Sequence, residues 1–129
     1  MTRWMLAGGT VLLAGCVVAA AGAGAGGGIY LTDRGVESLV PATVDGAAAA
    51  TQKAFQQLKV TETKSSTEQT DAGEQRELAG SAVGRDVTVT LKPQGKGSTH
   101  VTVVAKTSAV TWDKDFARAI LDKIVAYSR

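Results

Sequence analysis

Cys16 carries the most nucleophilic side chain in the sequence, and it is the only cysteine among the 129 residues. The ionised thiolate is the reactive form of cysteine and the form that thioether formation requires. No second cysteine is available, so a disulfide within the chain is excluded. The residues directly before Cys16 are Leu13, Ala14 and Gly15, which are apolar or small. The sequence thus places a single unpaired thiol behind a short run of small residues.

The segment before Cys16 has the three parts of an export signal. Arg3 gives a basic start, residues 4–13 form an apolar run, and small residues follow. The stretch Leu13-Ala14-Gly15-Cys16 resembles the lipobox of bacterial lipoproteins. This resemblance implies that a diacylglyceryl group alkylates the thiol and that a membrane-embedded peptidase cuts just before it. It therefore implies a signal peptide over residues 1–15 and a membrane anchor at acylated Cys16.

An uncleaved signal anchor is the rival interpretation, since no charged residue occurs between Trp4 and Thr32 and about 20 apolar residues can span a bilayer. Residues 16–28 contain Cys16 and a tract rich in alanine and glycine. In water such a tract is a flexible tether. In a membrane, the spacing of Gly22 and Gly26 would let two helices pack closely. The glycine content weakens a helix and favours the tether.

Acid–base chemistry would have to come from the aspartates near the C-terminus, Asp113, Asp115 and Asp122. A pair of such carboxyl groups across a cleft would suit a hydrolase of envelope polymers. Basic residues stand beside them in the sequence, a pattern typical of a solvated helix face. His100 is the only histidine, and it has no second imidazole or thiol with which to complete a metal site. We therefore predict no enzyme activity, no metal and no cofactor, and keep the hydrolase as an alternative.

The charges of the chain are nearly balanced, with 14 Lys and Arg residues against 12 Asp and Glu residues. Acidic and basic residues are interspersed, so the sequence predicts no nucleic-acid partner and no basic patch for anionic lipids. Removal of the signal and the tether leaves residues 29–129, which is the length of one small domain.

Two helices are predicted in this domain. The first begins at Val44, where apolar residues recur at helical spacing, with Thr43 or Asp45 as its N-cap. The second follows Asp113, which caps or favours its N-terminus. The residues predicted to share its apolar face are Phe116, Ala117, Ile120, Leu121 and Ile124.

Strands are predicted where apolar and polar residues alternate. The clearest are Asp86–Lys92 and Thr99–Lys106, joined by a hairpin turn at 93–97, while Ser65–Gly73 is predicted to be a polar loop. The other predicted strands are Val36–Val40, Lys59–Lys64 and, more weakly, Glu77–Val83. The order of elements predicts an α+β fold with an antiparallel sheet of about four strands and two helices on one face.

The opposite face of the sheet is predicted to be rich in threonine and open to water. We predict that it contacts a protein partner of the envelope, directly or by adding a strand to the sheet edge. Trp112 lies just before the second helix, and the favoured interpretation is that it packs in the core at the end of the sheet. The alternative is an exposed aromatic anchor for a partner. The residues of the predicted partner face are Thr88, Thr90, His100, Thr102, Val104 and Trp112.

Most of the chain resembles a family of small lipoproteins of Gram-negative bacteria that is catalogued as a domain of unknown function. The stretches that carry this resemblance are the lipobox, Gly28-Ile29-Tyr30, Leu39-Val40-Pro41-Ala42, residues 87–93, 99–104 and 120–124. The chain departs from the family at Trp112-Asp113, where members tend to carry a Gly-Asp pair. The resemblance implies no known activity or cofactor.

These observations lead to one expectation of location and role. Val17, and not an aspartate, follows the lipidated cysteine, which by resemblance to enteric sorting rules favours the outer membrane over the inner one. We expect a lipid-anchored protein on the periplasmic side of the cell envelope that binds or scaffolds a partner. The alternatives are the envelope-polymer hydrolase and the uncleaved anchor whose glycine tract packs in the membrane.

Overall fold

The computed structural model describes residues 28–108 and 110–128. The predicted signal peptide, Cys16 and all but the last residue of the tether lie outside these residues. No helix in the described part is long and apolar enough to cross a membrane.

The described chain folds into one antiparallel sheet and two helices. The elements in chain order are β1 (Tyr30–Leu31), β2 (Gly35–Val40), α1 (Val44–Gln57), β3 (Thr61–Thr70), β4 (Gly73–Ala82), β5 (Arg85–Pro93), β6 (Thr99–Ser108), β7 (Thr111–Trp112) and α2 (Lys114–Tyr127).

The strands lie side by side in the order β1-β2-β6-β5-β4-β3, and every pair is antiparallel. The short strand β7 pairs with the last residues of β6, beyond the part of β6 that pairs with β2. The α+β class, the antiparallel sheet and the two helices are thus confirmed. The expected number of about four strands is wrong, because the sheet has seven.

The strand residues that the sequence analysis missed have two physical causes, exposure and shortness. The predicted loop Ser65–Gly73 is mostly strand, because β3 continues to Thr70 and only a two-residue turn separates it from β4. Every residue of β3 is exposed, so neither of its faces needs apolar side chains and no alternation marks the strand. The strands β1 and β7 have two residues each, which is too short for any periodic pattern.

Both helices begin at a predicted cap. The hydroxyl of Thr43, and not the carboxylate of Asp45, accepts the backbone N–H of Gly46 at 3.1 Å. The carboxylate of Asp113 accepts the N–H of Phe116 at 2.9 Å. Each cap satisfies one of the backbone donors that the first turn of a helix leaves unpaired.

The core lies between the helices and one face of the sheet. The strands β5 and β6 contribute fully buried side chains at alternate positions, as predicted from their apolar alternation. The helices pack on each other and against these strands. The largest buried side chains are Phe55, Leu78, Leu91, Ile120, Leu121 and Ile124. Burial of this one face fixes the register of the sheet, since a slip by one residue would turn the core residues toward water.

Candidate functional site

The face of the sheet opposite the helices, called the open face below, collects the predicted partner residues. In the ladder between β5 and β6, Thr88 pairs with Val104 and Thr90 with Thr102. These side chains and that of His100 are half-buried by their neighbours in the sheet. The structure thus places these five residues on one face of the sheet.

Trp112 also lies on the open face. It pairs with Lys106 of β6, whose side chain points to the same side as Val104 because the two positions are separated by two residues. The ring is half-buried and is not part of the hydrophobic core. The favoured interpretation, in which Trp112 packs in the core, is therefore wrong, because the pairing of β7 with β6 turns the ring to the other side of the sheet.

Trp112 forms one wall of a cavity on the open face. We call it the Trp112 pocket; its volume is about 370 Å³, near the lower end of the range for small-ligand sites. The guanidinium carbon of Arg34 lies 5.7 Å from the centre of the Trp112 ring, within the range of a cation–π contact. The residues that line the pocket are Arg34, Thr88, Val104, Lys106 and Trp112.

A tight turn between β1 and β2 holds Arg34 in place. The backbone N–H of Thr32 donates to the carbonyl of Gly35 at 2.8 Å, and the N–H of Gly35 donates to the hydroxyl of Thr32 at 2.9 Å. A Cβ atom at Gly35 would overlap the carbonyl oxygen of Val103 on β6. Glycine is therefore required where the turn enters the sheet, and the turn brings Arg34 to the edge of the open face.

Sequence reasoning missed both cations of the Trp112 pocket. The sequence predicts Lys106 at the end of a strand, and it indicates no functional role for Lys106 or Arg34. The two residues are far apart in the sequence, and they line one pocket because β2, which follows Arg34, pairs with β6, which carries Lys106. The only signal in the sequence was the position of Lys106 on the outward side of its predicted strand, two residues after Val104.

A second cavity, also of about 370 Å³, is lined by Trp112 as well and by Asp113 and Asp115. The side chain of Asp113 is engaged within the fold, because it caps α2 and also pairs with Arg85 at 2.7 Å. The N–H of Phe116, and then the guanidinium of Arg85, lower the pKa of the Asp113 carboxyl below its usual value. A general acid of a glycosidase needs the opposite shift of its pKa. This geometry gives Asp113 a structural role and offers no support for the hydrolase.

His100 lies at the opposite end of the open face from Trp112. Its Nε2 atom is 3.0 Å from a carboxylate oxygen of Glu37 on β2. The sequence placed His100 on this face but gave it no partner. Within residues 28–108 and 110–128, no cluster of His, Cys, Asp and Glu side chains could hold a metal ion.

The fold and the open face define a small two-layer α+β domain with one buried and one uncovered sheet face. The chain matches, over residues 1–126, the family described as Protein of unknown function (DUF3568). The chain belongs to this family, and the resemblance to a family of unknown function is thereby confirmed. No curated protein sequence matches the chain.

Proposed function

We propose that the protein is a lipid-anchored binding or scaffolding module on the periplasmic side of the cell envelope. Acylated Cys16 holds it to the membrane, with the outer membrane favoured, and its open face contacts a partner protein. The observation that carries the proposal is the grouping of an aromatic ring, Val104, three threonines and His100 on the sheet face that the helices leave uncovered.

The composition of the open face supports a binding role. Interfaces combine aromatic anchors with polar groups that form hydrogen bonds, and the open face offers Trp112 beside threonine hydroxyls. The strands β5 and β6, which carry the threonines, are hydrogen-bonded on both sides in the centre of the sheet. Such a surface is already ordered before a partner arrives, so that binding loses little conformational entropy.

The position at which the tether joins the domain also supports the proposal. The carbonyl of Gly28 accepts a hydrogen bond of 2.6 Å from the hydroxyl of Ser38. Ser38 pairs with Val101, which lies near the start of β6. Trp112 pairs with Lys106, about 17 Å further along β6 at the rise of an extended strand. The tether that the sequence predicts over residues 17–28 would add a reach of about 20 Å as a random coil. The Trp112 end of the open face is therefore the end farther from the point at which the tether joins the domain.

Mass spectrometry of the N-terminal tryptic peptide tests the anchor. Trypsin cleaves after Arg34 and releases the segment that contains Cys16. From the membrane fraction, the proposal expects a peptide that starts at Cys16 and carries added acyl mass. A peptide that continues upstream through an unmodified Cys16 toward Trp4 would instead establish the uncleaved signal anchor.

A substitution scan tests the open face. The proposal expects Thr90→Lys and Thr102→Lys to abolish chemical cross-links between the protein and other envelope proteins. Gln56→Lys is the matched control, because Gln56 is exposed on α1 in the other layer. Cross-links that survive both open-face substitutions would contradict the binding role of this face.

A further inference from the structure

The two cations of the Trp112 pocket have no anionic partner in the part of the chain that the structure describes. Neither Arg34 nor Lys106 takes part in any ion pair of this described part. Those pairs join Arg76 to Asp45, Arg85 to Asp113 and His100 to Glu37. The contact of Arg34 with the ring of Trp112 leaves the N–H donors at the edge of the guanidinium available.

Two acidic residues stand near these cations without forming an ion pair with them. Asp86 pairs with Lys106 in the ladder between β5 and β6, and Asp33 precedes Arg34 in the turn. Neither carboxylate lies within 4.0 Å of the neighbouring cation, and neither lines the pocket. Two like charges at the rim of one concave site raise its positive potential and attract an anion.

The other residues that line the pocket indicate which chemical groups its ligand has besides a negative charge. Trp112 and Val104 provide apolar contact surface, and Thr88 provides one hydroxyl. Arginine binds a carboxylate through two parallel hydrogen bonds, while lysine adds a compact charge. The pocket therefore matches a carboxylate that has an apolar group directly beside it.

We infer that the Trp112 pocket binds an acidic peptide segment of the partner protein, with a carboxylate between Arg34 and Lys106 and a neighbouring apolar side chain against Trp112. This inference rests on the proposed function and names the chemistry of the partner. A membrane surface fits less well, because lipid-binding segments cluster about four to eight basic residues. The pocket has two, and it lies at the end of the domain away from the tether.

Intrinsic fluorescence provides the test, since the chain contains only Trp4 and Trp112. In full-length Trp4→Phe protein in a neutral detergent, the signal comes from Trp112 alone. The probe is the peptide acetyl-Glu-Leu-Glu-Glu-amide, and its control has glutamine in place of every glutamate. We expect a saturable change of the Trp112 emission with the acidic peptide and binding weaker by about tenfold or more for the glutamine peptide.

Variants show whether the pocket itself binds the probe. Arg34→Gln and Lys106→Gln should each raise the Kd of the acidic peptide by about tenfold. Lys92→Gln is the matched control, since Lys92 is an exposed lysine that pairs with His100 at the other end of the same face, and it should leave the Kd unchanged.

Three outcomes would overturn the inference. The first is binding of the glutamine peptide as tight as that of the acidic peptide. The second is a Kd of the acidic peptide that is unchanged in Arg34→Gln and Lys106→Gln. The third is a Trp112 response only to phosphatidylglycerol vesicles or to inorganic phosphate. The cross-links of the open face separate this inference from the proposed function. If these cross-links persist in the Arg34→Gln, Lys106→Gln double variant, the acidic-peptide inference fails while the binding role of the face stands.

Discussion

Trp112 pairs with Lys106 across the ladder between β6 and β7, on the side of the sheet that faces away from both helices. The next residue links β7 to β6 by a further hydrogen bond, because the backbone N–H of Asp113 donates to the carbonyl of Ala105 at 2.7 Å. The carboxylate of Asp113 then caps α2. One short segment thus places an aromatic ring on the open face of the sheet and the start of α2 on the face that the helices cover.

The position of Trp112 predicts a small effect on stability and a large one on binding. Trp112→Ala removes a half-buried ring outside the core and its contact with Arg34, so the free energy of unfolding should fall by about 1 kcal/mol. Phe55→Ala, in the core, should cost about 3–5 kcal/mol. Urea unfolding of both variants measures the difference. Equal losses would mean that Trp112 supports the core.

The Asp113 carboxylate should stabilise the fold in a pH-dependent manner. Asp113→Ala removes both the cap and the ion pair, at a cost of about 1–2 kcal/mol near neutral pH. Asp113→Asn is the control, because asparagine can still cap the helix while the charge that pairs with Arg85 is lost. It should cost less than about 1 kcal/mol.

The pH dependence follows from the lowered pKa of Asp113 in the folded protein. The unfolded chain binds a proton near the ordinary value, about 3.9. The stabilisation is therefore fully present above that pH and disappears as the pH falls through the folded-state pKa. The stability difference between the wild type and Asp113→Asn should be constant above about pH 5 and should shrink below about pH 4. A difference that grows on acidification would contradict the assignment.

Two glycine substitutions should change stability in opposite directions. At Gly35 a methyl group would overlap the backbone of β6, so Gly35→Ala should cost about 1–3 kcal/mol and displace the turn that holds Arg34. At Gly46, in the first turn of α1, the nearest atom to an added Cβ is 3.4 Å away. Gly46→Ala should stabilise the protein by about 0.5 kcal/mol. Thermal unfolding of both variants is the measurement, and stabilisation by Gly35→Ala would show that the turn is not constrained as described.

The outer half of the β3–β4 hairpin should open more readily than the rest of the sheet. All residues of β3 are exposed, and local stability follows the density of buried contacts. Backbone amides of residues 65–70 should therefore exchange with solvent much faster than those of 87–91. Hydrogen exchange with mass-spectrometric readout would detect this, and equal protection would indicate that something covers β3.

The sequence is informative where one face of an element is buried. The apolar alternation of β5 and β6 and the helical spacing in α2 predict the core side of each element correctly, because burial selects the residue types there. The exposed strand β3 has no such selection, and its second half, residues 65–70, is therefore predicted to be a loop. Backbone pairing with β4 is what makes it a strand.

The candidate site can be predicted only in part from the sequence, for a different reason. Thr88, Thr90, Thr102 and Val104 alternate with core residues, so their common face is predictable from the period of a strand. Arg34 joins them only through the order of strands in the sheet. The side to which Trp112 turns depends on the pairing of a two-residue strand, and no local pattern in the sequence encodes that pairing.

Site-specific photo-cross-linking in living cells tests the central claim, that the open face binds a partner, most directly. Full-length protein would carry p-benzoylphenylalanine in place of Thr90 or, as the control on the helix layer, in place of Gln56. The account predicts one light-dependent adduct of defined mass from position 90, none from position 56, and a weaker adduct when Trp112→Ala is added. Equal adducts from both positions, or none from position 90 in membrane-anchored protein, would contradict it.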